Sequence, residues 1–163
     1  MHKSSANTAL ILFFRLSLGW VFLYAGLSQL FDSSFTAAGF LGATKTFHPF
    51  FAWFATPAMI PYTNFMVTWG HTLIGLSLLS GLLVRYSAVA GAMLLGVYYF
   101  AHMDFPYVDG PVNFIMDYHL VYIVALIALA AVRAGEIWGL DGWRMKRAAL
   151  WQAKQPVPLP RTA

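Results

Sequence analysis

Apolar residues run in long blocks along this chain, and polar residues gather between the blocks and at their edges. Four blocks, at 9–30, 62–84, 87–102 and 113–132, read as membrane-crossing segments, which take about 20 apolar residues at helical rise. The strict alternation and frequent turns of a membrane β-barrel are missing, so helices are the expected form. The predicted architecture is all-α: an integral membrane four-helix bundle occupying residues 1–151, followed by a Pro-rich tail over 152–163. The third block is the shortest, its outer end passing through Tyr98, Tyr99 and Phe100 into His102 and Asp104. The first begins near Lys3 as a signal peptide would. Its apolar run is longer than a signal core, contains Arg15 and lacks a small-x-small cleavage site, so it is expected to be a retained span.

Helical periodicity assigns each block one face unsuited to lipid. In the first, Arg15, Gly19, Phe22, Gly26 and Gln29 share a stripe, and in the second Asn64, Thr68, His71 and Gly75 do. The third aligns Ala88, Ala92, Leu95, Tyr99 and His102; the fourth clusters Tyr118, His119 and Tyr122, followed by Leu126 and Leu129. Small residues on such stripes let helices approach closely, so Gly19, Gly26, Gly75, Gly91 and Ala92 are packing positions. Between the first two blocks, Phe47, Phe50, Phe51, Trp53 and Phe54 crowd a loop in a way no solvated linker would, which predicts an interfacial or re-entrant helix. Pro57 and Pro61 are expected to break the chain before the second span.

Composition narrows the class further. Of 163 residues, 60% are hydrophobic and 10% charged, too little charge to cover a water-soluble core. The absence of cysteine excludes disulfides, thiolate zinc sites, iron–sulfur clusters and dithiol chemistry within this chain. The net charge of +4 follows membrane topology and not nucleic-acid binding, since the cations gather at span ends. Lys3, Arg85, Arg133, Arg144, Lys146, Arg147, Lys154 and Arg161 would face the cytoplasm, leaving Lys45 alone among the outer basic residues. Both termini are therefore expected to be cytoplasmic, in a multi-pass protein of the cell membrane.

Ionisable groups at membrane depth are costly and point to function. Arg15 either snorkels to inner headgroups or offers a cation to a ligand. His71 lies well inside the second span, and His119 and His102 also belong to the outer half of the bundle. A quinone headgroup needs hydrogen-bond donors and a proton-exchanging residue, which His and Tyr supply. His71 is the expected proton-exchanging residue, His119 and Tyr122 the groups bonding the quinone oxygens, and Arg15 a contact or a brace for the bundle. A less favoured alternative pairs His71 and His119 as axial haem ligands. A noncatalytic scaffold or assembly subunit, whose polar stripes serve packing and docking alone, is the alternative from a different class. Asp104, Asp109 and Asp117 read as turn or cap residues, Asp117 at the start of the fourth helix.

The chain resembles the DoxX and DoxD group of small four-span membrane proteins. The resemblance rests on Arg15-Leu16-Ser17-Leu18-Gly19 with Gly26, on the run from Gly75 to Arg85 (GLSLLSGLLVR), and on Gly139-Leu140-Asp141. It implies quinone-linked redox metabolism. DoxD is the small membrane subunit of thiosulfate:quinone oxidoreductase, which oxidises thiosulfate to tetrathionate and passes electrons to quinone together with a companion subunit. Where relatives often carry an acidic residue just before the Gly75 motif, this chain has His71. Capacity to handle protons is thereby kept while the charge is changed.

Overall fold

The structure is a computed structural model that describes residues 5–108 and 110–153. Lys3, Asp109, and the expected tail from Lys154 onward, including Arg161, lie outside the described residues. Helix α1, Ser5–Phe31, carries the first apolar block. It stops at Asp32, whose carboxylate accepts bonds from the Ser34 amide at 2.9 Å and hydroxyl at 2.6 Å. Those two bonds hold the Asp32 carboxyl below its usual range.

The aromatic loop forms two short helices, α2 at Ala38–Gly42 and α3 at His48–Phe54. Leu41 and Phe51 bury together with Ala37 and Ala101, so the loop folds back onto the end of a long helix instead of standing apart. Helix α4, Ile60–Ser80, takes Pro61 into its first turn. The expected break at Pro61 is corrected for a simple reason: a first-turn residue has no intrahelical N–H bond to lose.

Helix α5, Val84–His102, begins three residues before the expected span and places Arg85 in its first turn. A small antiparallel hairpin follows, β1 at Met103–Asp104 paired with β2 at Tyr107–Val108. Helix α6, Tyr118–Ala131, starts later than 113 because Asp117 caps it. A 3₁₀ turn, Ala134–Glu136, leads into helix α7, Leu140–Ala153, which the hydrophobic pattern had not suggested.

Helices α1, α4, α5 and α6 pack in closed order, α1 on α4, α4 on α5, α5 on α6 and α6 on α1. The faces turned inward are the polar and small-residue stripes of the sequence: Arg15, Leu18, Gly19, Phe22 and Gly26 on α1, with Thr68, His71 and Gly75 on α4. Ala88, Leu95 and Tyr99 on α5, and His119, Leu126 and Leu129 on α6, complete the inner surface. Phe22, Leu78, Ala88 and Leu126 sit at its centre. Helices α1 and α5 are long and apolar enough to cross a membrane, and α6 is apolar but shorter. Helix α4 is long enough, but Asn64, Thr68, His71 and Thr72 lower its hydropathy.

Glycine sets the spacing of α1 and α4. A Cβ on Gly26 would strike the backbone of Thr72, and one on Gly75 would strike that of Leu23. Association in lipid draws on such close packing more than on hydrophobic burial. Gly75→Ala should therefore lower stability by about 1–3 kcal/mol. Gly96→Ala, at a position open to added volume, should leave it equal or slightly raised. Thermal unfolding of the purified chain in detergent checks the contrast.

Candidate functional site

The two ends of the helix assembly hold different polar clusters. At one end the buried Arg15 side chain, 2% exposed, donates from Nη1 to Ala134 O at 2.8 Å and Ile137 O at 2.7 Å, and from Nη2 to Trp138 O at 3.3 Å. Asp141 joins the same junction. Its carboxylate accepts the amides of Leu83 and Val84 at 3.0 and 3.2 Å, and its own amide donates to Gly81 O at 2.9 Å. Gly81 ends α4 in the left-handed region at φ +71°, its Cα close against Gly139, where a side chain would have neither the backbone conformation nor the room. Of the two expectations for Arg15, ligand contact or brace for the bundle, the geometry shows the brace: Nη1 and Nη2 donate to carbonyls of the turn after α6, far along α1 from the histidines, while Nε has no partner among the described residues.

The opposite end gathers the histidines. On α4, His71 Nδ1 lies 3.2 Å from Gln29 Oε1 of α1. On α6, His119 and Asp117 form a buried pair through Nδ1 and Oδ2, with side chains 2% and 0% exposed. Asp117 also caps α6, its other oxygen accepting the His119 amide at 3.1 Å and the Leu120 amide at 3.4 Å, the capping role its sequence position suggested. His102, in the last turn of α5, bonds through Nδ1 to Tyr98 O at 2.9 Å. Carbonyl and carboxylate oxygens only accept, so in each case Nδ1 donates, and Nε2 is the nitrogen left bare whenever the ring is neutral.

Tyr98 links these rings. Its centroid is 5.5 Å from that of His71, 6.4 Å from His119 and 6.5 Å from His102, and its hydroxyl has no hydrogen-bond partner among the described residues. His102 and His119 are themselves in ring contact at 4.9 Å, and Phe40 of α2 closes over His102 at 4.6 Å. His71 and His119 therefore meet through Tyr98 and not directly, and a haem held by both would require that ring to move. Among the described residues no group of three or more His, Asp or Glu is placed to hold a metal ion.

A cleft of about 650 Å³ opens beside the cluster, lined by Phe40, Thr44, Lys45, His102, Asp104 and Tyr107 among others. Lys45 and Asp104 pair at its exposed rim at 2.5 Å. Of the residues expected to contact a ligand, His71 and His119 join the cluster behind this cleft. Tyr122 lies to one side, its ring 5.8 Å from Tyr118 and packed on the apolar core. His102 lines the cleft itself; the sequence places it with the outer-half histidines but assigns it no ligand contact. Its four-residue spacing from Tyr98 puts both on one face of α5, the signal that would have brought them forward.

The DoxX family model matches residues 10–103, more than half of the sequence. The chain belongs to the DoxX family. The match runs from α1 to the first residue of the hairpin and so includes Arg15, His71, Tyr98 and His102, whereas Asp117 and His119 fall beyond it. Comparison with curated proteins and with solved structures gives no match. Family membership together with the long apolar helices makes this DoxX chain a membrane protein.

Two substitutions test the two ends. Arg15→Met leaves the Ala134 and Ile137 carbonyls without their donor and should cost about 3 kcal/mol, with Arg15→Lys recovering part of it, as read by unfolding in detergent. Asp117→Ala removes a helix cap worth about 1–2 kcal/mol, and should speed hydrogen exchange at the His119 and Leu120 amides ahead of the rest of α6.

Proposed function

We propose that this DoxX protein is a quinone-binding subunit of a membrane redox complex. Its four packed helices span the cell membrane with both termini cytoplasmic, and the headgroup lodges at the outer end beside His102. The observation that carries the proposal is the convergence of three imidazoles and a phenol from α4, α5 and α6, each imidazole anchored through Nδ1 and so left with Nε2 for a ligand or a proton. Quinone, when bound, supplies the two-electron, two-proton chemistry.

The protein groups supply binding and proton handling. The Tyr98 hydroxyl donates to a carbonyl oxygen, while His102 Nε2 accepts from the reduced headgroup's hydroxyl. Behind them, Asp117 orients the His119 ring and stabilises its protonated form, and His71, steadied by Gln29, is the further proton-exchanging residue. Phe40, Ala101 and Met103 give the cleft an apolar wall suited to the ring. Arg15 and Tyr122 take no part in this arrangement. A companion subunit delivers electrons, and the family resemblance favours thiosulfate as their source.

The test is binding of a short-tailed quinone to the full chain in lipid nanodiscs, followed by quenching of tryptophan fluorescence. His102→Ala should weaken binding about tenfold, the loss expected for one hydrogen bond to a desolvated group, and His119→Ala, which acts from behind the headgroup, by a smaller factor. Tyr122→Phe should bind as the parent does. Parent-like affinity in both histidine variants would exclude the outer cluster as the quinone site.

A further inference from the structure

We infer that the Arg15 end of this protein carries a binding site for the phosphate of an anionic phospholipid, built from α7 and the arginines that face it. A second cleft, of about 310 Å³, lies at the end opposite the histidines, and Arg85, Tyr86, Arg133, Glu136, Asp141 and Arg144 line it. Three separate segments contribute its cations: the first turn of α5, the second residue after α6, and α7.

The carboxylates there are already engaged. Glu136 pairs with Arg133 at 2.5 Å, and Asp141 is held by the Leu83 and Val84 amides. Arg85 and Arg144 have no ion-pair partner among the described residues. Two unpaired guanidiniums around one cleft suit a phosphodiester, which accepts their planar donor forks.

Helix α7 supplies the argument for a lipid. Only its start is fastened to the rest of the chain, Gly142 being its buried residue. Leu140, Trp143, Leu150 and Trp151 are exposed within one sector of its helical wheel, and Arg147, which shares that sector, stacks its guanidinium over Trp143 at 5.2 Å. Indoles, leucines and stem-flanking cations on an unpartnered helix match a helix lying in the headgroup layer, apolar face toward the acyl chains. The cleft sits at the level where α4 and α6 end and α5 begins, so a lipid phosphate reaches it without leaving the bilayer surface. Charge complementarity selects the anionic phospholipids over the zwitterionic ones.

Native mass spectrometry of the full chain from nanodiscs containing phosphatidylcholine and phosphatidylglycerol in equal parts tests this without quinone, so it stands or fails apart from the proposal above. Phosphatidylglycerol should be retained in preference. Arg85→Gln and Arg144→Gln should each lower the preference about fivefold, while Arg147→Gln, outside the cleft, keeps most of it. Equal retention of the two lipids by the parent, or an unchanged preference in the double variant Arg85→Gln/Arg144→Gln, overturns the inference. So does protection of the detergent-purified chain from thermal unfolding by inorganic phosphate to the same degree as by phosphatidylglycerol, since that result marks a site for a free anion.

Discussion

A guanidinium enclosed by apolar helices needs acceptors within reach, and Arg15 finds them on the turn after α6, in the carbonyls of Ala134, Ile137 and Trp138. This ties the first long helix to the segment following the last one and so closes the assembly. The same turn presents Asp141 to the link between α4 and α5, which puts all four packed helices under the control of one polar junction. Gly81 and Gly139 allow the backbones to meet there. With α1 fixed at that end, its register against α4 follows. Gln29, fourteen residues and about 21 Å further along α1, then arrives beside His71.

The contrast between the two ends supports assigning function to one of them. At the Arg15 junction, most donors and acceptors are used up in holding backbone to backbone, which is what a structural centre requires. At the histidine end the bonding is one-sided: each Nδ1 is occupied, whereas Nε2 and the Tyr98 hydroxyl have no hydrogen-bond partner among the described residues. Asp117 shows how economically this end is made, since one carboxylate caps α6 and orients His119. Small-residue packing between α1 and α4 keeps the helices close enough for these side chains to touch across three of them.

Much of the helical framework was legible in the sequence because side-chain polarity and helical periodicity act locally. The stripe containing Arg15, Gly19, Phe22 and Gly26 faces inward as its spacing indicated, and so do Thr68, His71 and Gly75. Boundaries were less legible where a specific bond decides them: α6 begins at its Asp117 cap, and α4 absorbs Pro61 into a turn that has no hydrogen bond to lose. Helix α7 escaped notice because its cations and short length look like a solvated tail until its indoles are seen on one exposed face. The hairpin after His102 has only two residues per strand, too few for an alternating pattern to register.

By itself the sequence determined the class of molecule: a cysteine-free, apolar, helical membrane protein of the DoxX family, with histidines and one arginine inside its apolar segments. Those properties are sums over local composition and spacing, so they survive without knowledge of contacts. Only the tertiary structure decided that Arg15 serves the junction and not the cluster, that Tyr98 is the ring joining His71 to His119, and that His102 borders the cleft. Which partner a polar side chain takes depends on the rotation and depth of neighbouring helices, and those are set by packing between segments far apart in the chain.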